Sequence, residues 1–280
     1  MLVGGGVVVG AVAGWLVWRA MAPTFAQPVF RRRNFRDREV STAVGIVIAL
    51  AVLTVEAAVT VADVLGADVD ARSIEPRRLA VLAAVGFSLL GLLDDLAGTG
   101  ESGGFRWHLR SLVRGRLTTG AVKLIGGAAL SIIVVAASTS GRSTGRLISD
   151  AALVALAANL GNLLDRAPGR VTKAAFITFV VLAAGTGAGP ELAGVAVVIG
   201  AGLGLLVPDL RERGMLGDSG ANVLGAALGL GVVVACSPDV RTITLVAVAA
   251  LNMASEFVSY SRVIRAVPPL RWLDDLGRVS

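Results

Sequence analysis

The stretch "LAVLAAVGFSLLGLLDD" (residues 79–95) decides the fold, because fifteen uncharged, mostly apolar residues run directly into two adjacent aspartates, Asp94 and Asp95. A helix needs about 20 mainly apolar residues to cross the hydrocarbon core of a bilayer. The stretch therefore predicts a membrane-spanning helix that ends in two carboxylates. Adjacent carboxylates at a low-dielectric boundary repel each other unless a cation lies near them.

The composition of the whole chain indicates the same class. Hydrophobic residues make up 55% of its 280 residues and charged residues only 16%, with a mean hydropathy of +0.76, which is too apolar for a soluble domain. Nine apolar runs predict helices at residues 2–18, 42–62, 78–93, 117–138, 147–164, 174–186, 192–207, 222–236 and 242–260. We predict an all-α, polytopic membrane helix bundle of about nine or ten transmembrane helices, forming a single domain over residues 1–280.

The charge pattern predicts the orientation. "AMA" (residues 20–22) resembles a signal cleavage site, but the first run has no basic residue before it and "RRRNFR" (residues 31–36) after it. We therefore expect a retained first helix with its amino terminus outside. The loops after the odd-numbered runs carry eighteen Arg and Lys residues and the opposite loops six, so we expect a multi-pass plasma-membrane protein with a cytoplasmic carboxyl terminus. The net charge of +6 then reflects topology and anionic lipid or substrate, with no role in binding nucleic acid.

Three motifs of small residues can bring helices close together. They are "GAVAG" (residues 10–14), "GAGLG" (200–204) and "GAALG" (225–229). Small residues four apart allow two helix backbones to approach each other. The motifs are explained by packing inside one chain or by packing between two chains, and the sequence leaves both open.

Four aspartates are expected at the same membrane face. Asp94 and Asp95 end the third run, Asp165 ends "NLGNLLD" (residues 159–165) and Asp218 lies in "MLGDSGA" (215–221). Together with the amides of "NLGNLLD", they predict an oxygen-ligand site for a hard cation such as Mg²⁺, or Mn²⁺ in its place. The alternative is that polar residues merely end helices, with Asp218 capping the next one.

Basic residues near these acids suit anionic groups. Lys123 lies in an apolar run, Arg170 and Lys173 follow Asp165, and "RERG" (residues 211–214) precedes Asp218. Arginine and lysine are the usual phosphate-binding side chains, and Mg²⁺ commonly bridges carboxylates to substrate phosphates. The combination predicts phosphoryl transfer at a membrane face.

The motifs together resemble a known family. "GLLDD" (residues 91–95), "NLGNLLD" and "MLGDSGA", in that order after "FRDREVSTAVGI" (35–46), resemble the polyprenyl-phosphate N-acetylhexosamine-1-phosphate transferase superfamily, which includes the phospho-N-acetylmuramoyl-pentapeptide translocase. The resemblance covers roughly residue 30 to the end of the chain. It implies Mg²⁺-dependent transfer of a sugar 1-phosphate from a UDP-sugar to a polyprenyl phosphate at the cytoplasmic face, with release of UMP, in cell-envelope glycan synthesis. Because relatives are often dimers, a homodimer is also an expectation.

The resemblance also implies roles for individual residues. The paired aspartates would orient or deprotonate the lipid phosphate, and Asp218 would bind magnesium together with Asp94. The catalytic residues expected on this basis are Asp94, Asp95 and Asp165. The substrate-binding residues expected are Asn159, Asn162, Lys123, Arg170, Arg211 and Arg213.

Two departures from the family pattern leave a second interpretation open. In the family the asparagine motif continues as D-G-x-D-G, whereas this chain reads "DRAPGR" (residues 165–170), with Pro168 in place of the second aspartate. The last predicted cytoplasmic segment, residues 256–278, lacks the histidine motif that many relatives carry. The chain is thus either a divergent transferase with an unassigned sugar, or a non-catalytic membrane protein that binds lipid phosphate or nucleotide sugar.

Other acids have structural explanations first. Glu56 lies inside the second run, where an acid is by default a functional hypothesis, but pairing within the bundle or proximity to the outer interface is the preferred interpretation. Asp274 and Asp275 near the carboxyl end are expected on an interfacial helix anchored by Trp272.

Overall fold

The computed structural model describes residues 3–34, 36–97, 119–138 and 143–279. The described chain contains nine long helices and two short ones near the carboxyl end. They are α1 Val3–Phe25, α2 Ile46–Val64, α3 Ile74–Ala97, α4 Thr119–Ser138, α5 Thr144–Leu164, α6 Arg170–Thr186, α7 Ala193–Leu210, α8 Asp218–Ala235, α9 Pro238–Ala254, α10 Tyr260–Ala266 and α11 Pro268–Asp275. The basic loop predicted after the third run lies outside the described residues.

Each predicted apolar run corresponds to a helix, but several boundaries were wrong. The third, sixth and eighth helices begin four residues earlier than predicted, at Ile74, Arg170 and Asp218. The first turn of each carries charged residues, which the apolar pattern cannot register. The ninth helix ends at Ala254, six residues earlier than predicted, and a separate short helix begins at Tyr260.

Seven of the nine long helices are long and apolar enough to cross a membrane. The other two, α6 and α9, have 17 residues each. A 17-residue helix is about 26 Å long, at the lower limit of the length that spans a bilayer. The predicted fold class is confirmed: the chain is an all-α, polytopic membrane helix bundle.

The small-residue motifs are used for packing inside the chain. A Cβ atom added at Gly10 would overlap the Val197 carbonyl of α7, and one added at Gly200 would overlap the Val7 carbonyl of α1. At the third motif, a Cβ on Gly225 would overlap the Ala157 carbonyl of α5. These faces are therefore occupied by neighbouring helices of the same chain, as the first of the two interpretations predicted.

The centre of the bundle is formed by α7 and α8, which are buried along most of their length. Around them lie α1, α2, α3, α5 and α6. By contrast, α9 packs mainly on α5, and none of its residues is buried within the described part of the chain. The carboxyl ends of α3, α5 and α7 lie at the same end of the bundle as the amino ends of α4, α6 and α8.

A small β-hairpin, which the sequence analysis missed, follows α1. Strands β1 Arg31–Arg33 and β2 Glu39–Ser41 pair antiparallel, with Arg31 opposite Ser41. The end of β2 and the chain that follows it bond to the loop before α8. The Met215 N–H donates to the Ser41 carbonyl at 2.7 Å, and the Gly45 N–H donates to the Leu216 carbonyl at 2.8 Å. The hairpin segment therefore fixes the loop that carries Asp218.

Candidate active site

The predicted acids meet at one end of the bundle. This acidic end is defined by Asp94 and Asp95 at the end of α3, Asp165 after α5 and Asp218 at the start of α8. The amide of Asn162 and the ammonium of Lys123 on α4 reach into the same space. Side chains from four helices are thus brought together, as the sequence predicted for the aspartates.

Asp95 is engaged by the backbone of α8. Its two carboxylate oxygens accept the N–H groups of Asp218 at 2.9 Å and Ser219 at 3.0 Å. The residue before α8 is Gly217, whose φ of +69° favours glycine and which has no capping side chain. Free N–H groups at a helix start attract an anion, so Asp95 supplies from α3 the cap that α8 lacks locally.

Glycine makes this cap possible. A Cβ atom added at Gly91 would overlap the backbone of Asp218, and one added at Gly217 would lie 2.7 Å from Asp95 Oδ2. A side chain at either position would push α3 away from the start of α8. The sequence "GLLDD" therefore couples a close helix crossing to the two carboxylates that follow it.

Asp94 and Asp218 share a cation. Lys123 Nζ donates to Asp218 Oδ2 and lies 3.9 Å from Asp94 Oδ2. Asn162 completes the group in the amide orientation that satisfies both partners: its nitrogen donates to Asp218 Oδ1 at 2.7 Å, and its oxygen accepts from Lys123 Nζ at 2.8 Å. We call Asp94, Asp218, Lys123 and Asn162 the acid–lysine cluster. The paired aspartates thus differ, because Asp95 accepts hydrogen bonds from the backbone of α8, whereas Asp94 faces the lysine.

Asp165 lies on the other side of the acidic end. Burial raises the pKa of its carboxyl well above the usual range, and the neighbouring negative charges, that of Asp209 first, raise it further. Asp209 is a site residue that the sequence analysis missed. It is buried in the last turn of α7, where its Oδ2 accepts the Gly169 N–H at 2.8 Å. The sequence signal that could have identified Asp209 is an acid at the end of an apolar helix, as at Asp94.

Asp165 and Asp209 line a polar cavity of about 210 Å³. Its walls come from the hairpin, the loop between α5 and α6, and the loop between α7 and α8, and include the arginines Arg33 and Arg166. Pro168 also lines it. The cavity therefore combines three acids, Glu212 being the third, with two basic side chains beside the acid–lysine cluster.

A second, apolar cavity of about 140 Å³ lies between α5, α6, α8 and α9. Leu164 and Val171 line it at the level of the acidic end, and Leu153 and Val232 line it deeper in the bundle. Its lining is almost entirely apolar. Leu164 directly precedes Asp165 in the chain, so the apolar cavity begins next to the polar cavity.

Four predicted substrate-binding residues lie elsewhere. Asn159 donates to Asn252 Oδ1 on α9 at 2.7 Å, because it lies on the side of α5 that faces α9. Arg170 is buried in an ion pair with Asp274. Arg211 and Arg213 are exposed and form no ion pair with any residue that the structure describes. The structure does not bring these four side chains to the acid–lysine cluster.

The carboxyl-terminal helices explain the position of Arg170. Its Nε and Nη2 atoms each donate to the Asp274 carboxylate at 2.8 Å, and Arg278 donates to the same group. Burial alone would raise the pKa of Asp274, but the hydrogen bonds from the two arginines outweigh it and hold the pKa below its usual range. Lys173 donates to the carbonyls of Leu273 and Asp274. The carboxylate of Asp274 therefore fastens α11 to α6, and Trp272 on the same helix is exposed. The interfacial position expected for this helix stays a prediction.

Glu56 has the structural role that was preferred for it. Its Oε2 accepts Arg77 Nε at 2.8 Å, and Arg77 is buried and also donates to Ser73. This pair joins α2 to α3 at the end of the bundle opposite the acids. Pairing within the bundle is therefore confirmed for Glu56.

The donor atoms at the acidic end suit Mg²⁺ only in part. Within the described residues, no group of three or more acidic, histidine or cysteine side chains is arranged to hold a metal ion. Magnesium is, however, usually bound by one or two carboxylates together with substrate phosphates. Asp94 and Asp218 offer two hard oxygen donors on adjoining helices, which fits a site completed by a phosphate.

No protein-family model matches the chain, and no curated protein matches it. The resemblance to the transferase superfamily therefore rests on its sequence motifs alone.

Proposed function

We propose that the protein transfers a sugar 1-phosphate, of the phospho-N-acetylhexosamine type, from a UDP-sugar to a polyprenyl phosphate and releases UMP. The observation that carries the proposal is the contact of Asp94, Asp218, Lys123 and Asn162 at one end of a membrane bundle. This group combines acidic oxygens, which attract a metal ion, with a buried ammonium, which attracts phosphate.

The two cavities support the two substrates. A polyprenyl chain must remain among apolar groups, and the apolar cavity between α5, α6, α8 and α9 starts beside Asp165. A nucleotide diphosphate needs basic and hydrogen-bonding groups, and the polar cavity presents Arg33 and Arg166. In this proposal the phosphates of both substrates meet at the acid–lysine cluster between the cavities.

The charge distribution supports a cytoplasmic location for this site. The hairpin arginines and the described basic residues of the later odd-numbered loops lie at the acidic end. Short loops rich in arginine and lysine remain on the cytoplasmic side. UDP-sugars would then reach the acidic end from the cytoplasm, where they are made. The lipid-linked product would be used in cell-envelope glycan synthesis.

Each side chain of the acid–lysine cluster has its own role in the proposed reaction. Asp94 orients the attacking lipid phosphate and accepts its proton if one is present. Lys123 neutralises charge on the transferred phosphate, and Asn162 holds the lysine and Asp218 in place. A magnesium ion held by Asp94 and Asp218 would supply electrostatic stabilisation of the two phosphates. Asp165 and Asp209 shape the polar cavity, in which they and the arginines orient the nucleotide sugar.

The test is UMP release by the purified chain in lipid nanodiscs. A panel of UDP-sugars is offered with undecaprenyl or decaprenyl phosphate, with and without Mg²⁺ or Mn²⁺. We expect metal-dependent turnover with at least one donor and its loss in Asp218→Ala, with the unfolding temperature retained. The matched control is Asp63→Ala, which removes an exposed acid at the opposite end. No turnover with any donor would overturn the proposal.

A non-catalytic binding protein is the second candidate function. It is favoured by Pro168 in the polar cavity, where the family has an acid, and by Lys123 already neutralising Asp218. It predicts binding of a UDP-sugar or polyprenyl phosphate without turnover. It also predicts retained cellular function in the double variant Asp94→Asn, Asp218→Asn, which the transferase proposal excludes.

A further inference from the structure

Lys123 occupies the position from which a cation acts on the acidic end. It lies on α4, one turn in from Thr119, and its side chain is only 15% exposed. Its ammonium contacts groups on three other helices: Asp218 of α8, Asp94 of α3 and the amide of Asn162 of α5. A largely buried ammonium requires such partners, because burial without them is costly.

The other acids of the site are directed elsewhere. Both oxygens of Asp95 accept backbone N–H groups of α8, and Asp209 accepts the Gly169 N–H. Asp165 lines the polar cavity on the far side. A metal ion that binds here therefore depends on Asp94 and Asp218, the two carboxylates that Lys123 already contacts.

An ammonium and a divalent cation do not share two carboxylates without cost. Both would lie within hydrogen-bonding or coordination distance of the same oxygens, where their like charges repel each other across a short, poorly screened distance. Whichever cation is present, it relieves the repulsion between Asp94 and Asp218. The lysine therefore has the properties of an internal counter-ion for the two carboxylates when no metal ion is bound.

We propose that Lys123 competes with the divalent cation for Asp94 and Asp218, and that metal binding releases the lysine toward the substrate phosphate. This inference rests on the proposed function for the metal and the phosphate, and adds the order of events. The lysine keeps the two acids compatible without metal, lowers the affinity for metal in the absence of substrate, and couples metal entry to phosphate binding. Metal and phosphate then bind cooperatively, since each removes a charge conflict that the other would face.

The test is a titration of the purified full chain in nanodiscs with Mn²⁺ alone, followed by electron paramagnetic resonance of free Mn²⁺. No sugar nucleotide or polyprenyl phosphate is present. We expect Lys123→Met to bind Mn²⁺ at least about tenfold more tightly than the unsubstituted protein. Lys123→Arg, which keeps the charge, should stay within about threefold. Arg271→Met is the matched control, because it removes an exposed charge at the same end, and it should leave the affinity unchanged.

A second measurement follows folding. Without metal, Lys123→Met should unfold at a lower temperature than the unsubstituted protein, because Asp94 and Asp218 lose their counter-ion, and Mn²⁺ should restore much of the difference. If Lys123→Met does not fold, Lys123→Gln retains a hydrogen-bond donor without the charge, and the same tightening is expected.

The outcomes separate this inference from the proposed function. Equal or weaker Mn²⁺ binding in the uncharged Lys123 variants, with clear binding by the unsubstituted protein, would overturn the competition and leave the transferase proposal standing. Absence of Mn²⁺ binding from every variant would overturn both the competition and the metal requirement of the proposed function.

Discussion

Buried acidic side chains are paired with basic ones differently at the two ends of the bundle. At the opposite end, Glu56 pairs with Arg77 at 2.8 Å, and Asp150 pairs with Arg241 at 3.2 Å. Each of these acids faces an arginine on a neighbouring helix. At the acidic end Asp274 is likewise paired with Arg170. There, however, Asp94 and Asp218 also share the single cation Lys123, and further acids lie close by.

We expect this difference to distinguish charges that hold helices together from charges that bind a ligand. A buried ion pair that is balanced in charge fixes how two helices meet, as Arg77 and the Oε2 atom of Glu56 do for α2 and α3. A group with more negative than positive charge remains costly unless a cation or a protonated acid completes it. If the proposed function is correct, this imbalance is where the ligands bind, and variants at the two ends should then behave differently.

The largest effect on stability is expected from Arg77→Met. The change leaves the Glu56 carboxylate unpaired in an apolar surrounding, and we expect a loss of about 3–5 kcal/mol in unfolding free energy. Thermal and denaturant unfolding in detergent micelles measure it. The control is Arg72→Met, because the ion pair of Arg72 with Asp70 is solvent-exposed and should contribute nothing measurable. Equal losses in both variants would remove the distinction between buried and exposed pairs.

Gly91→Ala should affect both stability and the site. The added methyl group overlaps the backbone of Asp218 and separates α3 from α8, with an expected loss of about 1–3 kcal/mol. The Asp95 cap would be displaced as well, so UMP release should fall along with stability. Gly185→Ala on α6 meets open space and should leave both properties intact. A Gly91→Ala protein as active and as stable as the control would contradict the close crossing.

Asp209→Ala tests the acid that the sequence analysis missed. It leaves the buried Gly169 N–H without its acceptor and frees the loop of residues 165–169 in the wall of the polar cavity. We expect about tenfold weaker apparent affinity for the UDP-sugar, or about 1.4 kcal/mol. Turnover at saturating donor should change less. Steady-state kinetics as a function of donor concentration separate the apparent affinity from the turnover at saturation. If the dependence of the rate on donor concentration is unchanged, Asp209 does not belong to the site.

The smallest effect is expected for Asn159→Ala. Its hydrogen bond to Asn252 joins α5 to α9 within the membrane part, and such bonds contribute about 0.6 kcal/mol on average. UMP release should remain, whereas Asn162→Ala, three residues further on, should lose it. Loss of activity in both variants would show that Asn159 reaches the substrate in a way that its present partner does not indicate.

The helical part of the fold could be predicted directly from the sequence. Apolar runs predicted all nine long helices, because a helix in lipid must pair its own backbone groups and carry apolar side chains along its length. The starts of α3, α6 and α8 were missed, since their first turns are charged and lie where water or polar partners begin. The hairpin was missed as well, because three-residue strands leave no periodic pattern to detect.

The candidate site was predictable in its residue types and less so in its members. Asp94, Asp165 and Asp218 were recognisable because charged residues are rare in such an apolar chain and follow its apolar runs. Arg170 was assigned to substrate by its place in the sequence, but its guanidinium is bound by Asp274, about a hundred residues away. Asp209 ends an apolar helix like the others, yet only the folded chain shows that it faces Gly169.

The sequence by itself determined that this protein lies in a membrane as a helix bundle, with its acids at helix ends, because hydrophobicity and length act locally along the chain. Only the tertiary structure decided what each acid does. Asp95 caps a helix that begins more than a hundred residues later, Asp94 and Asp218 share Lys123, and Glu56 is neutralised by Arg77. These roles depend on distances between helices, and electrostatic and hydrogen-bonding partners are set by distance in space rather than by separation in sequence.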